Sequence, residues 1–122
     1  MIKFYGYKKC GTCRKAEKAL QSYLGGIDTQ YTFIDITETP PSASALKKIA
    51  ALAEVDLKKM FNTSGVQYRE LNIKEKLPAM GDKDILDLLA SNGRLIKRPI
   101  VTDGVKATIG YNEEVFKKTW GG

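Results

Sequence analysis

Two β-rich runs, residues 2–5 and 31–36, are separated by one helix-length stretch, and this spacing constrains the fold more than any other feature. Ile2 and Phe4 share one face of the first run. From Thr12 onward Ala16, Ala19, Leu20, Tyr23 and Leu24 recur at helical intervals, and Gly25-Gly26 stops the pattern. The second run, Tyr31 to Ile36, is β-branched and aromatic. Strands joined through a full helix lie parallel and take a right-handed crossover.

The rest of the chain adds helices and then a hairpin. Thr39-Pro40-Pro41-Ser42 breaks the chain and caps a helix with Leu46, Ile49, Ala50 and Ala53 inward. Asp56 caps a short turn carrying Leu57, Met60 and Phe61, and Asn62-Thr63-Ser64-Gly65 is loop-like. Short helices and turns lead to Met80. A helix then begins at Asp82 or Asp84, carries Ile85, Leu86, Leu88 and Leu89, and ends at Asn92-Gly93. Beyond Arg98-Pro99, Ile100-Val101-Thr102 and Val105 to Ile109 flank Asp103-Gly104, a hairpin signal. Asn112 caps a last helix holding Val115 and Phe116, with Glu113 and Glu114 in its first turn. The order βαβ, helices, ββα is the thioredoxin plan: an α/β fold with a mixed sheet and an inserted helical subdomain at about residues 42–92. One domain over 1–122 is expected, with no linker, repeat or low-complexity segment.

Cys10-Gly11-Thr12-Cys13 sits where the first strand ends and the first helix opens. Thiols three residues apart can close a disulfide within one helical turn. Free N–H groups and the helix dipole favour negative charge there, so Cys10 is expected to ionise more readily than a free cysteine. Lys8, Lys9 and Arg14 are expected to add positive potential. CxxC is also half of a zinc-ligand pattern, but no second pair exists, so a zinc site needs two chains or outside ligands.

Composition removes other chemistries. The chain has no histidine, which excludes His-based acid–base catalysis, His-dependent triads and His-containing metal sites. No glycine-rich phosphate fingerprint is present, and no metal, flavin or nicotinamide is required. The net charge of +6, with lysines spread through the chain and no arginine-rich tail, permits an acidic protein, nucleic acid or anion as partner and demonstrates none; a solvated surface, with no direct nucleic-acid or membrane contact, is expected. There is no long apolar run, and Met1-Ile2-Lys3-Phe4-Tyr5 is too short in apolar character for a signal peptide. Two cysteines without an export signal fit a cytoplasmic protein, where CxxC is catalytic, redox-sensing or metal-binding.

Three segments, in order along nearly the whole chain, carry a family likeness. They are Tyr5-Gly6-Tyr7-Lys8-Lys9-Cys10-Gly11-Thr12-Cys13-Arg14-Lys15-Ala16, Arg98-Pro99-Ile100-Val101, and Ile109-Gly110-Tyr111-Asn112-Glu113-Glu114. Together they resemble the arsenate reductase (ArsC)–Spx family, a branch of the thioredoxin superfamily with a helical insertion. The resemblance implies Cys10 as nucleophile and Arg98 as an oxyanion or partner contact. It implies a cis Pro99 facing the CxxC, and Gly11, Thr12 and Arg14 as further substrate or partner contacts. The glutaredoxin-linked arsenate reductases surround their cysteine with three arginines. Asn62 and Tyr111 stand where two of these are expected, and Cys13 stands about where those enzymes have serine. Losing two charge-assisted donors weakens oxyanion binding by several kcal/mol, at roughly 1.5–3 kcal/mol each.

Spx-type regulators share the CxxC, the Arg-Pro segment and the Gly-Tyr-Asn-Glu ending. They bind the C-terminal domain of the RNA polymerase α subunit, and their CxxC is a redox switch. Asp56 lies about where they carry an interface glycine. The residues themselves favour a dithiol whose first sulfur attacks and whose second, Cys13, resolves, with a thioredoxin- or glutathione-type thiol as electron donor. Tyr111, Asn112 and Glu113 read as a strand end and helix cap, and Trp120 as a packing anchor.

Overall fold

In the computed structural model of the protein, residues 2–25 and 31–121 are described; Gly26 of the expected helix stop lies outside them. Four strands form one sheet in the order β2-β1-β3-β4: β1 (Ile2–Gly6), β2 (Tyr31–Asp35), β3 (Ile100–Thr102) and β4 (Ala107–Ile109). β1 pairs parallel with β2, as the helical crossover requires, and antiparallel with β3, which in turn pairs antiparallel with β4.

Alternation along β1 divides the core between the two faces of the sheet. Phe4 and Val101 belong with Cys13, Ala16 and Leu20 of α1 (Gly11–Tyr23), and with Phe116 and Trp120 of α6 (Glu113–Trp120). Tyr5, Ile100 and Ala107 face the other way, onto the inserted helices. These helices are α2 (Ala43–Ala53), α3 (Val66–Glu70), α4 (Ile73–Lys76) and α5 (Asp82–Ser91), with 3-10 turns at Leu57–Met60, Leu77–Ala79 and Gly93–Leu95. Leu46, Ile49, Ile85 and Leu89 supply their buried faces. The result is a thioredoxin-like fold with an inserted helical subdomain.

Capping follows side-chain chemistry. Ser42 accepts from the Ala45 N–H, Asp56 from Lys58, and Asn112 from Val115, at 3.2, 3.1 and 3.1 Å. Gly93 is buried because a side chain there has no room: an added Cβ would stand 1.6 Å from the Ile36 carbonyl oxygen. That close approach seats the end of the insertion against the end of β2. Trp120 is 7% exposed and its Nε1–H donates to Thr108 Oγ1 at 3.0 Å, which anchors α6 to β4.

The hairpin is shorter than its sequence suggests. Val105, expected in a strand, is 79% exposed and lies in the turn. The Asp103 carboxylate accepts from both the Val105 and Lys106 N–H groups at 2.9 Å, and Thr102 Oγ1 donates to the Lys106 carbonyl at 2.8 Å. These side-chain bonds hold residues 103–106 out of the ladder, so β4 begins at Ala107. Val115 also points outward, because Phe116 and Trp120, one helical turn apart, take the buried stripe of α6.

Candidate functional site

The turn leaving β1 presents Cys10 at the N-cap of α1, with extended backbone (φ −90°, ψ 120°). Its N–H donates to the Tyr7 carbonyl and its own carbonyl accepts from the Arg14 N–H, both at 3.0 Å. This fixes the sulfur over the helix start, where Cys10 Sγ accepts from the Cys13 N–H at 3.4 Å. Both thiols are free. Cys10 is partly exposed, whereas Cys13 is 1% exposed within the core beneath α1. The two sulfurs differ by one turn of helix and by their access to solvent.

Their acidities diverge for the same reason. Partial burial works to raise the Cys10 thiol. It is outweighed by the Cys13 N–H, the Cys13 side chain and the Arg98 guanidinium, which leave the group below its ordinary value. Cys13 is pushed up to about 12, first by burial and further by the hydrogen bond and negative charge of Cys10. Cys10 is the thiol that ionises, and Cys13 holds its proton while Cys10 is a thiolate.

Arg98 is the side chain whose charge reaches Cys10, rather than the expected Lys8, Lys9 and Arg14. Lys8 turns toward β2, 3.5 Å from Glu17 and 4.1 Å from the Phe33 ring centroid. Arg14 lies with Gly11 on the outer surface of α1. Arg98 sits over the Tyr7 ring at 5.4 Å, and its Nη1 is buried with no hydrogen-bond partner. The Arg98–Pro99 peptide is cis and Pro99 is buried.

A cleft of about 880 Å³ opens beside Cys10. Cys10 and Thr12, the segment around Asn62, and Arg98, Gly110 and Tyr111 line it. Backbone bonds join two of the lining segments side by side: Asn62 N–H to the Leu95 carbonyl and Lys97 N–H to the Met60 carbonyl, each 2.7 Å. Gly110, at φ +78°, is covered by the Lys97 side chain, which a Cβ would meet at 2.6 Å. Cys10, Thr12 and Arg98 of the expected contacts thus share the cleft; Gly11, Arg14 and Pro99 do not line it. Asn62 and Tyr111 both line it, so Tyr111 is wall as well as strand end. Sequence reasoning missed Lys58, Lys59, Arg94 and Lys97, which also line it; they come from separate segments with no motif of their own. No group of three or more potential metal-ligating side chains occurs among the described residues. No helix among them is long and apolar enough to cross a membrane.

A thioredoxin-like fold carrying a CxxC at the start of its first helix defines the broad class. Within it, the chain belongs to the ArsC family, whose family model matches residues 5–119. It is 51% identical over 119 residues to the uncharacterized protein YusI of Bacillus subtilis, covering 98% of each chain. It is 30% identical to the regulatory protein MgsR of the same organism, covering 91% of this chain and 83% of that one. Its fold is similar to the crystal structure of an ArsC family related protein from Bacteroides fragilis, with TM-score 0.88, 38% identity, and 96% and 95% of the two chains covered.

Proposed function

We propose that this protein is a cytoplasmic thiol–disulfide redox protein in which Cys10 is the nucleophile and Cys13 the resolving thiol. The observation that carries this reading is the asymmetry of the pair. A partly exposed sulfur of lowered pKa borders an open cleft, and a buried, protonated sulfur stands one helical turn behind it.

The Cys10 thiolate attacks one sulfur of a disulfide, forming a mixed disulfide and expelling the other sulfur as a thiolate. Capture of Cys10 removes the negative charge that had helped keep Cys13 protonated. Cys13 then loses its proton to the departing thiolate or to water and attacks Cys10 Sγ, releasing the second substrate thiolate. The substrate disulfide gains two electrons and the Cys10–Cys13 dithiol loses two. A thioredoxin- or glutathione-type thiol donor returns them. Arg98 and Thr12 contact the incoming group in the cleft. Gly11 and Arg14, on the outer surface of α1, and the buried Pro99 next to Arg98 are assigned to partner docking and support.

The test is reduction of insulin and of hydroxyethyl disulfide, with electrons regenerated through thioredoxin or glutathione. Turnover that disappears in Cys10→Ser supports the reading; turnover undiminished by that substitution overturns it. Arsenate is a weaker fit: Asn62 and Tyr111 line the cleft in place of the two arginines that the resemblance implies beside the cysteine, although other cations line it too.

The 30% identity to the regulatory protein MgsR supports a second reading: a redox-switched regulator of Spx type that binds the RNA polymerase α C-terminal domain. Co-purification of the α subunit with reduced but not oxidation-locked protein, or the reverse, favours it. Equal recovery in both states, or none, removes it.

A further inference from the structure

Charge in the cleft is one-sided. Lys58, Lys59, Arg94, Lys97 and Arg98 line it, and no aspartate or glutamate does. None of the five belongs to an ion pair among the described residues, where the pairs are Lys8–Glu17 and Lys83–Asp87. Arg94 feels the charge of Asp35, but that carboxylate already accepts from the Thr37 N–H and hydroxyl at 2.9 and 2.6 Å. Arg94 and Arg98 both lie over the Tyr7 ring, at 5.6 and 5.4 Å. Like charges gathered along one cleft make it a favourable place for an anion.

The distribution says what kind of anion. Lys58 and Lys59 belong to the 3-10 turn at Leu57–Met60, while Arg94, Lys97 and Arg98 come from the segment leading into β3, which backbone bonds between residues 60–62 and 95–97 join side by side to the end of that turn. Charge spread along two joined segments matches a ligand whose own charges are spread along its length. A space of about 880 Å³ lies near the top of the range of roughly 300–1,000 Å³ that holds sizeable organic ligands, well beyond one tetrahedral oxyanion. Asn62, Thr63, Ser64 and Gln67 add hydrogen-bonding groups on the insertion wall, suited to a peptide backbone.

We propose that the cleft selects a protein disulfide flanked by an acidic, extended segment, whose carboxylates lie along the basic lining while its sulfur meets Cys10. The inference rests on the redox reading above and names its substrate class. The exchange is the one already written: the partner disulfide accepts two electrons, the dithiol becomes Cys10–Cys13, and a thiol donor restores it. Opposite charge across a cleft speeds encounter more than it tightens the complex.

The experiment uses the full-length reduced protein and three peptides of equal length, each a mixed disulfide with 2-mercaptoethanol. The cysteine is flanked by aspartates, asparagines or lysines, and each rate is divided by the rate with dithiothreitol to remove intrinsic reactivity. At low salt the aspartate peptide is expected to react about tenfold faster than the asparagine one and the lysine peptide slowest, with the spread shrinking as salt rises. A Lys58→Glu, Lys59→Glu, Lys97→Glu variant should bring the aspartate-to-lysine ratio to unity or below, and the corresponding glutamine variant should fall between. Equal rates for the three peptides, or a ratio untouched by charge reversal, overturn the proposal. So does charge dependence confined to oxidised glutathione, which assigns the cleft to small molecules. Cysteine-free versions of the peptides, followed by fluorescence anisotropy, separate the two readings. Salt-sensitive binding of the aspartate peptide without any disulfide turnover sinks the redox chemistry and upholds the charge selection. Absence of that binding sinks the charge selection whatever the turnover.

Discussion

Replacing Arg98 by methionine tests how the site makes a nucleophile. Methionine keeps an unbranched apolar stem near Tyr7 but removes the charge and the donors that help hold the Cys10 thiolate. A hydrogen bond to a charged group contributes about 1.5–3 kcal/mol; solvent reaches this sulfur, so the low end of about 1.5 kcal/mol applies. Since about 1.4 kcal/mol is a factor of ten, the thiolate fraction below the thiol pKa should fall about tenfold. The surviving thiolate is more basic and more nucleophilic, with a Brønsted slope of about 0.5, which returns roughly half of that loss on a logarithmic scale. The net expectation is alkylation about threefold slower near neutral pH, with the midpoint of the pH–rate profile moved upward. The assay is iodoacetamide alkylation across pH in a Cys13→Ser background, which leaves Cys10 as the one thiol and keeps a hydroxyl beside it. A profile unmoved by Arg98→Met, or moved to lower pH, refutes the assignment of Arg98 as the stabilising cation.

Three further outcomes follow from the packing and titration of the fold. Cys13 binds its proton more tightly folded, at about 12, than at the ordinary 9.0, so the unfolded chain carries fewer protons between those values. Stability measured by urea unfolding should therefore fall as pH rises from 9.0 toward about 12, and less steeply in Cys13→Ala; Tyr31, also raised to about 12, contributes part of the remaining slope. Trp120→Phe strips the buried Thr108 hydroxyl of its donor and should cost about 1–3 kcal/mol in thermal or urea unfolding, partly recovered by adding Thr108→Val. Gly93→Ala forces a methyl into the Ile36 carbonyl and should destabilise by at least the roughly 1–3 kcal/mol of an overpacked core, seen as a lowered Tm.

The parts of this molecule written in local pattern were legible in the sequence. The strand–helix–strand spacing yields the parallel β1–β2 pair, and Ser42, Asp56 and Asn112 cap the helices they precede. The CxxC could be assigned to a helix start because apolar periodicity changes from strand to helix on either side of it. Electrostatics was not legible, because it depends on distance through space. Lys8 and Lys9 neighbour Cys10 in the chain, yet Lys8 pairs with Glu17, and the effective cation is Arg98, brought in by β3 pairing against β1. The basic lining was invisible for the same reason: Lys58 and Lys59 share one cleft with Arg94 and Lys97 because backbone bonds join residues 60–62 to 95–97. Val105 misled because β-propensity in a turn yields to the Asp103 carboxylate, which claims two backbone donors.

The division of labour between the two sulfurs is tested most directly by trapping. Cys13→Ser and Cys10→Ser proteins are each exposed to a disulfide substrate, and the covalent adduct is located by mass spectrometry of peptides. A stable adduct on Cys10 in the first protein, with Cys13 unmodified in the second, is the outcome required by a partly exposed, acidified thiol in front of a buried, protonated one. An adduct on Cys13, or equal adducts on both, would contradict it.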